Sequence, residues 1–254
     1  MSRPSRKRIY CYPDTPESLE IDLEWEAYWA SPEGQAEIAD RKARRQARFM
    51  AVLPSAIEER LRSTFTADSP IGLPERALDI VLAGGLDETP ALAAVRGAED
   101  ICILAGGCGV GKSIAAVAWV HDYVAAPERW QDAAERDQEP RPRYRGHVPL
   151  WIAAAQLART DHFKQSEVDR VAKVKRLVID DLGSEFSDSK GFFASLLDEV
   201  IDLRYSGQRP TIVTTNLDAD AFRARYGVRI VDRIREAGRF VGCGNQSLRK
   251  RPTQ

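Results

Sequence analysis

The sequence predicts an α/β fold: a five-stranded parallel sheet covered by helices on both faces and preceded by a helical N-terminal extension. Three observations predict it. From residue 101 onward, short apolar runs of strand length alternate with stretches of helical periodicity. The first apolar run leads straight into a glycine-rich loop and then a helix. A later run, Leu177-Val178-Ile179, ends in the adjacent carboxylates Asp180 and Asp181. Strands buried on both faces read as continuous apolar runs, as these do, and not as alternating ones.

The elements follow in order. Residues 1–16 hold a basic cluster and three prolines, which suits a loose tail. Leu19, Leu23, Trp25, Tyr28 and Trp29 stand near helical spacing, so a helix is expected over 16–29. Ser31-Pro32-Glu33 starts a second helix, with a Ser cap, a Pro at the first helical position and an early acid. That helix carries the run Arg41, Lys42, Arg44, Arg45 and Arg48 and is expected to stop at Pro54. Ser55-Ala56-Ile57-Glu58 has capping-box spacing and opens a third helix to about Phe65. The punctuation Pro70-Ile71-Gly72-Leu73-Pro74 sets a boundary before it, dividing the chain into an extension, 1–66, and a main domain, 67–254.

In the main domain, Thr89-Pro90 starts a short helix. Strands are expected at Ile101–Ala105, Val148–Ile152, Leu177–Asp180, Thr211–Thr215 and Arg239–Gly242. Between them lie helices from Gly111 to about Ala125, after Ile152 through Leu157, over Phe192–Tyr205, and near 218–226 and 228–236. Phe193, Leu196, Leu197, Val200, Ile201 and Arg204 share one face of the Phe192 helix. The charged, Pro-containing residues 127–147 are expected to form a surface excursion.

Composition removes several function classes. The 254 residues suffice for one large domain plus an extension, and 43% apolar with 30% charged is a globular balance. No apolar run approaches the ~18 residues of a membrane span, and no apolar segment follows the basic N-terminus as a secretory signal would require. Four cysteines, Cys11, Cys102, Cys108 and Cys243, lack metal-ligand or disulfide-framework spacing. A cytoplasmic protein with no membrane contact is expected. The net charge of −1 hides an asymmetry, because residues 223–254 carry nine basic side chains against two acidic ones. Such an end suits an acidic partner.

Gly106-Gly107-Cys108-Gly109-Val110-Gly111-Lys112-Ser113 fits the phosphate-binding pattern G-x-x-x-x-G-K-[ST]. Glycines let successive backbone N–H groups curl around phosphate oxygens, and the following helix points its positive end at them. Lys112 would reach the outer phosphates and the Ser113 hydroxyl would ligate Mg²⁺. The candidate nucleotide site therefore runs from Gly106 through Ile114. Asp180 suits the acid that holds Mg²⁺ through water, and Asp181 suits the group that deprotonates the attacking water. Two Asp after a strand can also be a turn or a helix cap.

These residues, with RPTIVTTNLD at 209–218, YGVRIVDRIREAG at 226–238 and SLRK at 247–250, resemble the AAA+ ATPases of the DnaC/IstB type, from about Ile71 to Arg251. The resemblance implies a three-layer P-loop sandwich with ATP and Mg²⁺ as cofactors. It implies a sensor role for Asn216, which also has a structural explanation as a strand-to-helix turn residue. It implies an arginine finger presented to a neighbouring subunit, at Arg233 or, one turn earlier, Arg229, with Arg235 the weaker choice. It implies that Arg249 touches nucleotide from its own subunit. The family's second acid is often Glu, so Asp181 suggests slow, partner- or DNA-stimulated hydrolysis. The implied functions are a helicase loader, with self-association through the ATP site, sequence-independent DNA contact and a hexameric helicase as partner. The alternatives are a transposition helper with a transposase as partner, or a nucleotide-gated adaptor with little turnover.

Overall fold

The computed structural model describes residues 26–62, 73–126, 149–159, 165–185 and 191–248. Most of the helix expected over 16–29, the 127–147 excursion and the Arg249 segment lie outside these residues. The described residues fall into two compact units, one ending at Ala56 and the other beginning at Ile57.

Residues 26–30 are helical, and α1 (Pro32–Arg62), which begins in the first unit and whose residues from Ile57 are counted in the second, starts where its cap signal places it. The Ser31 hydroxyl accepts from Gly34 N at 3.2 Å and donates to Tyr28 O at 2.7 Å. The chain turns so tightly there that a Cβ on Gly34 would fall 2.0 Å from the Tyr28 carbonyl oxygen. The expected break at Pro54 does not occur, and α1 runs through it to Arg62. Pro54 lacks the N–H that would bond the carbonyl four residues back, a cost of about 3 kcal/mol in a helix interior. Burial of Leu53, Ile57 and Leu61, spaced by one helical turn each, offsets that cost.

The second unit has α2 (Glu75–Ala83), α3 (Pro90–Val95), β1 (Ile101–Ala105), α4 (Lys112–Ala125), β2 (Leu150–Ala153), α5 (Ala154–Leu157) and α6 (Gln165–Lys173). There follow β3 (Leu177–Leu182), α7 (Phe192–Ser206), β4 (Thr211–Thr215), α8 (Ala219–Tyr226), α9 (Val228–Ala237) and β5 (Gly238–Gly242). The sheet has five strands in the order β2-β3-β4-β1-β5, every neighbouring pair parallel. The α/β class and the strand count agree with the sequence. Thr89 caps α3 by accepting from Leu92 N at 3.0 Å. Two details differ. β3 continues through both acids to Leu182, and α6, which among its described side chains buries Val168, Val171 and Ala172, was too short and polar to stand out in the sequence.

Side chains alternate across the sheet. Ile101, Ile103, Leu177, Ile179 and Val213 join Phe193, Leu196, Leu197, Val200 and Ile201 of α7 in one core. On the other face α4 presents Ala115, Ala116, Val117, Trp119 and Val120, all buried, and packs against α2 and α3. The result is a helix–sheet–helix sandwich.

Arg204, on the apolar stripe of α7, is fully buried. Its Nη1 donates to the carbonyls of Val171, Ala172 and Val174 at 3.3, 3.0 and 3.0 Å. Nη2 donates to Pro210 O at 2.7 Å and Nε to Thr211 Oγ1 at 2.6 Å. Val171 and Ala172 lie in the last turn of α6, where carbonyls lack helical partners. One guanidinium thus caps α6 and ties α7 to the start of β4. Burial pushes its pKa down to about 9, still high enough to keep the charge at neutral pH. A lysine cannot serve this fan of acceptors. Arg204→Lys should therefore lower unfolding free energy by about 2–4 kcal/mol in a denaturant titration, the range for leaving buried polar groups unpaired.

Candidate nucleotide site

The site forms where β1, β3 and β4 end side by side. Pairing of Ala105 with Thr215 brings the glycine loop alongside the turn after β4, and Gly106 N donates to Thr215 O at 3.2 Å. The loop passes Gly106–Val110 and turns into α4 at Gly111, whose φ of +92° suits glycine. The first helical residues are Lys112, Ser113 and Ile114. The loop is flanked by the segment from Gly244 to Leu248, whose end opens the SLRK string. Gly107 N donates to Gly244 O at 2.9 Å, and Leu248 N donates to Gly109 O at 3.0 Å. A Cβ on Gly106 would stand 2.5 Å from Gly244 O, so only glycine allows this approach.

The Lys112 ammonium is buried and uses three acceptors: Gly106 O and Gly107 O, both at 2.8 Å, and Asn216 Oδ1 at 3.0 Å. Burial pushes its pKa down, and the nearby Asp180 and Asp181 charges oppose the shift. Asn216 Nδ2 lies 3.3 Å from Asp181 Oδ1 and donates to it. Asp180 Oδ1 accepts from Ser113 Oγ at 3.1 Å and from Thr214 Oγ1 at 2.6 Å. Lys112, Asn216 and Asp181 form one chain of hydrogen bonds and Ser113, Asp180 and Thr214 another, and Thr214 joins the two through the Asp181 amide.

Adjacent residues of a regular strand point to opposite faces. Here the β3–β4 register shifts between Ile179 and Leu182, and Asp181 sits at φ +57°. This bulge brings both carboxylates to the loop side. Thr214 Oγ1 also accepts from Asp181 N at 2.8 Å, and Thr215 Oγ1 donates to Leu182 O at 2.7 Å. The threonines of the TTN string thus hold the bulge, a role hidden in the sequence because their partners are 33 residues away. Glu185 was missed in the same way. It is buried, and its carboxylate accepts from Gly183 N, Arg225 Nε and Tyr226 Oη at 2.7, 2.9 and 2.6 Å.

Two of the expected finger arginines lie on α9 facing α7. Arg233 is bonded to Asp198 at 2.6 Å and to Asp202, with its side chain 15% exposed. Arg229 reaches Asp198 only at 3.5 Å and is 73% exposed. Arg235 stands 3.9 Å from Asp232. Arg249 lies outside the described residues, one position beyond Leu248. Cys108 is an exposed free thiol, while Cys102 and Cys243 are buried free thiols. Burial pushes the Cys102 pKa up to about 11.

Among the described residues, no three His, Cys, Asp or Glu side chains cluster as a metal cage. Mg²⁺ needs less, since it commonly keeps its waters and takes one or two protein oxygens plus phosphates. Ser113 and Asp180 supply such an oxygen pair, and burial pushes the Asp180 pKa up against the Thr214 and Ser113 hydrogen bonds, so a cation there would relieve a desolvated charge. The raised value means that ionised Asp180 costs stability at neutral pH, and that the cost fades as pH falls through the folded-state pKa. Asp180→Asn should leave the nucleotide-free melting temperature equal or higher, and should abolish its rise with Mg²⁺ and nucleotide; thermal melts with and without both ligands test this.

No protein-family model matches the sequence, and no curated protein matches it. Several solved structures are similar. The crystal structure of the DnaC helicase loader aligns at 19% identity over 66% of this chain and 90% of its own, with a TM-score of 0.43. That of DnaI aligns at 20% over 68% and 95%, with a TM-score of 0.45. The replication initiator DnaA bound to AMPPCP and single-stranded DNA aligns at 15% over 68% and 51%, with a TM-score of 0.45. Among the described residues no helix is long and apolar enough to cross a membrane.

Proposed function

We propose that this chain is an AAA+ ATPase of the DnaC/IstB type that binds ATP with Mg²⁺, hydrolyses it and works on DNA as a helicase loader. One observation carries the ATPase assignment: the joining, through Thr214, of Lys112, Asn216 and Asp181 with Ser113 and Asp180 at the ends of three adjacent strands. The loader assignment rests on the motif resemblance, and residues 1–66 are then the partner-binding extension.

ATP held with Mg²⁺ supplies the scissile phosphoanhydride and the charge compensation for its phosphates. Lys112 exchanges its two loop carbonyls for phosphate oxygens. Ser113 and Asp180 hold the cation side. Asp181 takes a proton from the attacking water, and Asn216, bonded to both Asp181 and Lys112, orients that water. Arg229 is the arginine offered to a neighbouring subunit, because its guanidinium is exposed while Arg233 is tied to two carboxylates of its own chain. Arg233 then anchors α9 to α7. Leu248, pinned to Gly109 O, brings Arg249 within chain reach of the phosphate loop.

Lys112→Ala should lose retention of a fluorescent ATP analogue, whereas Asp181→Asn should keep it and lose phosphate release by about a hundredfold or more. Mixing Lys112→Ala with Arg229→Ala should restore hydrolysis that neither shows alone. Wild-type nucleotide retention by Lys112→Ala would remove the phosphate-loop assignment, and mixtures that stay inactive at every ratio would remove the finger in trans.

The case for DNA narrows on inspection of the basic end. Among the described residues, Arg225, Arg229, Arg233, Arg235 and Arg239 each stand within 4.0 Å of a carboxylate of this chain. In the N-terminal Arg run, Arg41 and Arg44 pair with Glu37 and Asp40 one turn back. Arg223 and the terminal Arg249, Lys250 and Arg251 are the better phosphate contacts. Neutralising those three terminal residues should flatten the slope of log affinity against log salt by up to about 0.9 per phosphate contact on duplex DNA and about 0.7 on single strands. A fluorescence-anisotropy salt titration on both DNA forms measures it.

A further inference from the structure

Glu185 lies four residues beyond Asp181, in the turn that closes the bulged end of β3. Its side chain is 1% exposed. Every oxygen contact points to one of two places. Gly183 N, on the acidic turn itself, donates to Oε2 at 2.7 Å. Tyr226 Oη and Arg225, at the end of α8, donate to Oε1, at 2.6 Å for tyrosine and 2.7 to 2.9 Å for the guanidinium. Arg225 Nη2 also donates to the Glu185 backbone oxygen at 3.0 Å. Tyr226 is buried, and its ring packs edge-on against Phe222 and Phe193, so the phenol is fixed within the core.

The two ends of this clamp have separate duties. The turn carries Asp181, whose left-handed backbone is further held by Ser184, through its N–H at 3.1 Å and its hydroxyl at 2.7 Å to Asp181 O. Helix α8 starts three residues after Asn216 and ends at Gly227, where α9 and its Arg229 begin. A residue held in a strained conformation keeps it only when its surroundings over-determine it. Burial pushes the Glu185 carboxyl pKa up, and the Tyr226, Gly183 and Arg225 hydrogen bonds outweigh that and leave it below the ordinary value.

We infer that Glu185 is a positioning residue that locks the Asp181 turn to α8, so that the water-activating carboxylate and the helix leading to Arg229 move as one body. This rests on the ATPase reading above for its kinetic consequence and on the hydrogen bonds alone for the coupling. The chemistry of the clamp requires a carboxylate, since a neutral amide would leave Arg225 without its ion pair and would turn one acceptor into a donor.

Glu185→Gln and the milder Tyr226→Phe, made in the full chain, test it with two readouts. In ATPase assays Glu185→Gln should lower kcat about tenfold or more, and Tyr226→Phe by less, with KM, nucleotide affinity and binding stoichiometry within about twofold of the parent. In hydrogen exchange, segments 181–185 and 219–226 should both speed up, by about tenfold, while 101–113 stays unchanged. A wild-type kcat in both variants overturns the inference. So does exchange that quickens in only one of the two segments, or in all three, the last being the mark of a general loss of packing. If Glu185→Gln does not fold, Tyr226→Phe decides by the same criteria. If the parent protein hydrolyses no ATP, the ATPase reading falls, and exchange alone still decides whether the turn and α8 are coupled.

Discussion

Placing two neighbouring carboxylates on the same side of a parallel strand is the constraint on which the site depends. Regular β geometry forbids it, because consecutive side chains alternate. The bulge between Ile179 and Leu182 and the positive φ of Asp181 remove the conflict. The remainder of the polar network then follows from the need to satisfy what the bulge unpairs. Thr214 gives its hydroxyl to Asp180 and takes the amide of Asp181. Thr215 covers the Leu182 carbonyl, and Ser184 covers that of Asp181. Each partner is a short hydroxyl side chain, which bonds nearby backbone with little entropy lost on ordering.

Charge is managed differently at the two ends of the sheet. At the carboxyl end, Asn216 bridges Lys112 to Asp181, and Asp180 is held by the Ser113 and Thr214 hydroxyls, so that these charges are met by polar groups and not paired directly. Such an arrangement keeps each charge available to a ligand. At the other end, Arg204 is fully buried with carbonyls and a hydroxyl as its only bonded partners among the described residues. It has no ligand to await, and its bonds hold α6, α7 and β4 in register. Where α9 faces α7, Asp198 is shared between Arg229 and Arg233, so the two arginines are not independent.

The local parts of this structure were legible in the sequence. The glycine loop, the apolar run ending in Asp180 and Asp181, and the Thr-Thr-Asn string each declare themselves within eight residues. Apolar patterning located five of the main-domain helices and all five strands to within about two residues, the usual uncertainty at element ends. What escaped is set by distance along the chain. Thr214 meets Asp181, Glu185 meets Tyr226, and Gly244 meets Gly107, and none of these pairs leaves a local pattern. Most carboxylate partners of the basic end escaped for a related reason, because Asp198, Asp202, Glu185 and Asp100 lie well upstream. Pro54 misled because a strong local rule met burial that only tertiary packing provides.

The clasp of Gly244 and Leu248 on the glycine loop has a consequence for assembly in the cell. Gly107 and Gly109 leave the ribosome long before the residues that bond to them. A nascent chain can build β1, α4, β3 and β4 and still lack this clasp on its glycine loop. The loop therefore reaches its clasped form only after residues 244–248 have been made and folded onto it, and a ligand that needs the clasped loop binds only from that point.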